Sequence, residues 1–127
     1  SPTVDVKKEY KVDLSIPLEE CMGQVEFLEE LMLLHKQNTL EFIGDVLIHL
    51  QHSDFKQIAH AAHKMKFGLK WMQSMSLLNI VEQIQKCCDT DQDMKQLQYL
   101  YNSFLVEYPK AENAIDTAIE ELKKSEG

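Results

Sequence analysis

The chain has 127 residues and a formal net charge of −8 at pH 7, and apolar residues make up 44% of it. This length and composition suit one folded domain with its own core. The negative charge disfavours nucleic acid and anionic membranes as primary partners, because the field of the protein repels phosphate groups. No run of about 18 apolar residues occurs, and the first residues contain no apolar signal segment, so we expect a cytoplasmic protein without membrane insertion.

The counts of glycine, proline and cysteine point to a helical protein with reduced thiols. Four glycines and three prolines are few, which favours helices joined by short turns over a loop-rich β architecture. Three cysteines, Cys21 and the adjacent pair Cys87 and Cys88, are an odd number and give no disulfide framework. We therefore expect structural thiols in the cytoplasm.

In the first half of the chain, apolar residues at helical spacing predict one short helix and one long helix. Residues 1–12 carry no helical stripe and are predicted to be an extension or linker. Residues 13–21 predict a short helix with a proline in its first turn and glutamates near its positive end. Residues 25–50 predict one continuous helix, although His35 and Thr39 stand where apolar residues are expected.

In the second half, three further helices are predicted. Asp54 caps a helix that runs to about Gln73, and a turn at residues 74–76 leads into the next helix. The last helix spans about 94–122 with the clearest periodicity of the chain. Pro109 lies inside it but off the apolar stripe, so we expect a bend and no interruption.

Four long amphipathic helices with short connections predict an all-α fold. The simplest arrangement is an antiparallel up-down-up-down four-helix bundle with a short extra N-terminal helix. The predicted domain organisation is an extension at residues 1–12 and a bundle domain at residues 13–125.

The helix after Asp54 turns one histidine outward. Its apolar stripe consists of Phe55, Ile58, Ala62, Met65, Leu69 and Met72. At roughly 100° per residue, His63 projects about 130° from the centre of that stripe, toward solvent. Lys66 and Lys70 follow three and seven residues later, so their ammonium groups can reach the space above the imidazole. An exposed nucleophile beside cations suits a group that takes up and holds a phosphoryl.

The same outward sector also carries two large aromatic side chains. Its members are Lys56, His60, His63, Lys64, Phe67, Lys70 and Trp71. An aromatic patch bordered by lysines would serve a transient protein partner, with the aromatics as anchors and the charges for steering. Alternatively, Phe67 and Trp71 pack against the following turn or the N-terminal segment. The sequence leaves both alternatives open.

This motif resembles that of the histidine-containing phosphotransfer (HPt) domains of two-component phosphorelays. The core motif of that family is roughly Ala-His-x-Leu-Lys-Gly, and residues 62–67 read Ala-His-Lys-Met-Lys-Phe. His63 matches the phospho-acceptor, and Lys66 matches the lysine at the third position after it. Weaker similarities extend the resemblance over about residues 13–124.

The resemblance implies a phosphoryl carrier that is a substrate of other domains and no enzyme by itself. His63 would accept a phosphoryl group from a receiver-domain phospho-aspartate and pass it to another receiver. Lys66 and Lys70 would stabilise the phosphate, while Lys56, His60, Lys64, Phe67 and Trp71 would contact the partner. No cofactor or metal is expected in this chain, because the receiver would supply Mg²⁺. The expected partners are response-regulator receiver domains, with a hybrid sensor histidine kinase as a further candidate.

The sequence departs from the family pattern at two positions. A small residue, commonly glycine, is usual at the fourth position after the histidine, where this chain has Phe67 and places Gly68 one residue later. A second small residue is usual near the tenth position, which is Gln73 here. Phe67 could narrow the choice of partner or hinder docking.

Three other interpretations of these residues remain. His60 could be the acceptor, although the third residue after it is His63 and no lysine. The pairs His60/His63 and His49/His52 have a spacing compatible with two metal ligands, but no cysteine or carboxylate completes either site. Finally, the chain could be a helical adaptor that uses the same face for docking without being phosphorylated. The chain could be a free-standing protein or a domain of a hybrid kinase.

Overall fold

The computed structural model describes residues 12–126, with side chains to Ser125, and this part is all-helical without a strand. Five helices follow one another: α1 (Ser15–Glu20), α2 (Val25–Gln51), α3 (Phe55–Trp71), α4 (Met75–Asp89) and α5 (Met94–Glu126). The all-α prediction is confirmed. The predicted extension lies outside the described residues except for Val12. Within the described range, no helix combines the length and apolar content needed to cross a membrane.

Helix α2 is continuous through the weak middle of its apolar stripe, as predicted. Thr39 is fully buried there, and its hydroxyl donates a hydrogen bond to the carbonyl oxygen of His35 at 2.8 Å. This bond satisfies the buried hydroxyl, so the polar residue is accommodated without a break in the helix. Helix α5 likewise continues past Pro109.

Each connection between the helices contains a residue with a left-handed backbone. These residues are Met22 and Gly23 before α2, Ser53 before α3, Gln73 before α4 and Gln92 before α5, with φ values between 49° and 76°. A left-handed residue after a helix lets the chain leave the helical path within a few residues. The short connections predicted from the sequence are thereby achieved, mostly without glycine.

Each helix packs against the next one along the chain, and α5 also contacts α2. The contacts join α1 to α2, α2 to α3, α3 to α4, α4 to α5 and α5 to α2. The larger core cluster includes Ile58, Val81 and Phe104, all fully buried. A second cluster near α1 includes Leu28 and Met72. Helix α3 therefore buries the face that its sequence predicted, which leaves His63 on the other side.

Two glycines within helices provide a stability test. Nothing lies within 4 Å of a Cβ built at Gly44, whereas a Cβ at Gly68 would lie 3.2 Å from Nδ1 of His35. Gly44→Ala is expected to raise the free energy of unfolding by about 0.5–1 kcal/mol, because alanine restricts the unfolded chain and favours the helix. The matched variant Gly68→Ala should gain less, since His35 has to move. Urea unfolding measures both, and an equal gain would contradict the packing around Gly68.

Candidate functional site

The cap and the buried face of α3 together fix the orientation of His63. The Asp54 carboxylate accepts a hydrogen bond from the backbone N–H of Gln57 at 3.2 Å, which caps the helix as predicted. Ile58, Ala61, Ala62, Met65 and Leu69 are buried on its inner face. His63 lies in the middle of α3 and is exposed, as its position relative to the stripe predicts. Its imidazole is therefore accessible to a molecule that approaches from solvent.

Lys66 is held by a residue of the next helix. It is half-buried, and its ammonium group donates a hydrogen bond to Oε1 of Gln85 on α4 at 3.2 Å. The two residues line a cleft of about 280 Å³ between α3 and α4, together with Glu82, Lys86 and Asp89. The sequence did not predict a role for Gln85, because nothing in it indicates which residue of α4 faces Lys66.

The other polar residues of the predicted face differ in their surroundings. Lys56, His60 and Lys70 are exposed. Lys64 is exposed as well, and it lines a cleft of about 220 Å³ between α3 and α2 that also contains Glu41 and Asp45. Lys66 and Lys70 remain the cations that the helical spacing places on the side of His63.

Of the two aromatic residues on this face, one is exposed to solvent and the other is partly packed against the rest of the chain. Phe67 is 80% exposed, one turn after His63. Trp71 is half-buried, packs against the core cluster near α1, and donates a hydrogen bond from Nε1 to Oε2 of Glu20 at 3.1 Å. Phe67 is thus available for contact with a partner, whereas Trp71 mainly joins α3 to α1 and offers only part of its surface.

A groove between α2 and α3 lies next to Phe67. It has a volume of about 190 Å³ and is lined mainly by apolar residues, including Leu31, Leu34 and Trp71, with His35 beside them. Burial lowers the pKa of His35 below its usual value, and the carboxylate of Glu112 partly opposes this shift. A neutral His35 keeps the groove free of positive charge. The exposed phenyl ring of Phe67 therefore extends an existing apolar surface.

The remaining groups with reactive chemistry are less suited to a functional role. Cys21, Cys87 and Cys88 are buried and free. Burial raises the pKa of the Cys88 thiol to about 12, with a smaller contribution from Cys87. A buried thiol with a high pKa is a poor nucleophile. Among residues 12–125, no group of three or more histidine, cysteine, aspartate or glutamate side chains could hold a metal ion.

The site therefore consists of an exposed imidazole, nearby lysines and an exposed phenyl ring, all on one helix. The chain matches no protein-family model, and no curated protein or solved structure is similar to it at a significant level. Its function has to be inferred from the chemistry of these residues.

Proposed function

We propose that the chain is a histidine-containing phosphotransfer domain that carries a phosphoryl group on His63 between receiver domains. The observation that carries this proposal is the exposure of His63 in the middle of α3. Helical spacing puts Lys66 and Lys70 on the same side of that helix. A carrier needs an accessible nucleophile and cations for the phosphate that it holds. The resemblance of residues 62–67 to the HPt motif is the reason for proposing this family of carriers in particular.

The fold that we propose for this carrier is an antiparallel up-down-up-down four-helix bundle with α1 as an additional short helix. Two observations support it: the long helices contact each other in sequence order, and the last contacts the first. The connections between them are short, which favours antiparallel neighbours. Such a bundle would present the middle of α3 as a rigid surface for docking.

In the proposed transfer, the neutral imidazole of His63 is the nucleophile. The lone pair of one ring nitrogen attacks the phosphorus atom of a receiver's acyl phosphate. A P–N bond forms while the P–O bond to the aspartate breaks, and the electron pair leaves with the aspartate carboxylate. The other ring nitrogen keeps its proton. The reverse reaction returns the group to another receiver.

The lysines would stabilise the phosphoryl group during its transfer and after it arrives on His63. Phosphorylation adds about two negative charges, and Lys66 and Lys70 can each donate a charge-assisted hydrogen bond of roughly 1.5–3 kcal/mol. Lys56, His60, Lys64 and Phe67 would contact the receiver around His63, and the exposed part of Trp71 would extend that contact. The receiver would supply the Mg²⁺ ion of the reaction.

A second candidate function is that of an adaptor that docks receiver or other signalling domains without being phosphorylated. The exposed ring of Phe67 favours it, because this position beside the histidine is usually small in the family that the chain resembles. Incubation with phosphorylated receiver domains distinguishes the two functions. A carrier acquires an acid-labile, alkali-stable phosphate, as expected of a phosphohistidine, whereas an adaptor binds the receiver and acquires none.

Replacement of Gln85 with leucine is expected to slow the transfer to His63 about two- to tenfold. The reason is that a hydrogen bond that positions Lys66 contributes roughly 0.5–1.5 kcal/mol. Rapid-quench measurement of phosphotransfer from a receiver gives the rate. The matched control is Gln83→Leu, because Gln83 lies on the same helix and is exposed.

A double-mutant cycle separates the positioning of Lys66 by Gln85 from a general structural effect of the Gln85 substitution. In a Lys66→Met background, Gln85→Leu should have no further effect on the rate, because the ammonium group that Gln85 holds is absent. An undiminished effect in that background would show that Gln85 acts independently of Lys66.

A further inference from the structure

Helix α2 exposes a row of large apolar side chains, and the first of them, Leu33, borders a cleft of about 660 Å³ that Asp116 and Ile119 of α5 also line. We define the leucine face of α2 as Leu33, Leu40, Gly44, Leu47 and Ile48. The four apolar side chains are exposed, and Leu40 is 60% exposed. The three leucines recur every seven residues, a spacing that keeps side chains on nearly one line along a helix. Exposed large apolar side chains that share one side of a helix often mark an interaction site.

Gly44 gives this face a second property. It lies in the middle of α2, is exposed, and has no atom within 4 Å of the position that a Cβ would occupy. A glycine in a helix interior is unfavourable relative to alanine, and no packing within the described structure requires it. Between Leu40 and Leu47, the missing side chain leaves room for the backbone of another helix to approach closely.

The charges around the leucine face indicate which kind of helix fits. Glu26, Glu30 and Glu41 are exposed, and each projects within about 100° of the direction of Leu40 around the axis of α2. None of the three is held by an ion pair in the part of the chain described. Lys36 is the lysine of α2, and its ammonium group is already bonded to Asp116 at 2.7 Å and lies 3.7 Å from Glu112. The face therefore attracts cations and repels a second copy of this acidic chain.

The leucine face is separate from the surface around His63. The α2 residues that line the grooves against α3 include Leu34, Asn38 and Asp45, and Glu41 lies at the border between these grooves and the leucine face. At roughly 100° per residue, Leu40 points about 160° away from Asn38 around the helix axis. A molecule on the leucine face would therefore leave the His63 side of α3 accessible.

We propose that the leucine face of α2 is a docking site for an amphipathic helix of a partner protein that carries lysine or arginine beside its apolar side. Leucine-type side chains of that helix pack on Leu33, Leu40 and Leu47, and its backbone approaches α2 at Gly44. Its cations meet the carboxylates of Glu26, Glu30 and Glu41. This second partner binds whether or not His63 carries a phosphoryl group.

The test uses a fluorescent peptide of roughly 20 residues, long enough to form a helix, with leucines on one side and lysines on the other. Fluorescence anisotropy measures its binding to the whole chain and to two matched variants, Leu40→Gln and Val106→Gln. Leu40 and Val106 are 60% and 59% exposed, on α2 and α5 respectively. We expect Leu40→Gln to raise the Kd about tenfold, as for a central contact residue, and Val106→Gln to change it less than about twofold.

Two control peptides test the chemistry of the partner. A scrambled peptide of the same composition and a peptide with glutamate in place of lysine should each bind at least about tenfold more weakly. Absence of binding by the original peptide, equal binding of either control, or equal binding by Leu40→Gln overturns the proposal. So does a dimer in sedimentation that dissociates on Leu40→Gln, because a second copy would then be the occupant. Leu40→Gln should leave phosphotransfer to His63 unchanged, which keeps this test independent of the proposed carrier function.

Discussion

Replacement of His63 with glutamine is expected to reduce phosphorylation of the chain by a charged receiver domain to background. Glutamine has a similar size and polarity, but its amide nitrogen is no nucleophile toward an acyl phosphate. Because His63 is exposed, the substitution should change the free energy of unfolding by no more than about 0.5 kcal/mol. The measurement is transfer of labelled phosphoryl from the receiver, with thermal unfolding as the check on folding.

His60→Gln is the matched control for this prediction. His60 is also exposed, on the same helix and one turn before His63. Unlike His63, it has no lysine at the third position after it. We expect it to retain most of the transfer. A His63→Gln protein that still acquires acid-labile phosphate, together with a His60→Gln protein that does not, would move the acceptor to His60. If neither substitution reduces phosphorylation of the chain, neither histidine is the phospho-acceptor.

Replacement of Phe104 with alanine is expected to lower the free energy of unfolding by about 3–5 kcal/mol, as for other large aromatic residues in protein cores. Phe104 is fully buried. Its ring centroid lies 5.0 Å from that of Phe42 on α2 and 6.2 Å from that of Tyr108. The substitution leaves a cavity where α5 packs against α2. Since a domain is usually stable by only about 5–15 kcal/mol, urea unfolding should show a large shift of the midpoint.

Val106→Ala is the control for the stability measurement. Val106 is exposed two residues further along α5, and its truncation should cost less than about 0.5 kcal/mol. A cost below about 1 kcal/mol for Phe104→Ala would contradict the packing of α5 against α2. The proposed bundle would then lose the contact that joins its last helix to its first.

The sequence predicted the helices and their buried faces well, because both depend on local periodicity. A spacing of three and four residues indicates one buried side whatever covers it. This is why the outward orientation of His63 could be predicted from the residues of α3. The passage of α5 through Pro109 followed in the same way, from a pattern that continues in phase on both sides of the proline.

The sequence could not predict the contacts between helices that complete the site. Trp71 shares the outward sector of α3 with Phe67, yet it donates a hydrogen bond to Glu20 of α1, while Phe67 stays in solvent. The difference depends on where α1 lies, and the periodicity of α3 contains no information about that. The exposed sector of an isolated helix is therefore wider than the sector that stays exposed in the folded protein.

By itself, the sequence of this protein determined which side of each long helix is apolar and that His63 stands opposite the apolar side of α3. Only the tertiary structure decided that Gln85 holds Lys66, that His35 packs beside Gly68, and that the apolar side chains of the leucine face of α2 stay exposed. The physical reason is that side-chain periodicity fixes a direction relative to a helix's own axis. The neighbour met in that direction depends on how the helices pack against one another.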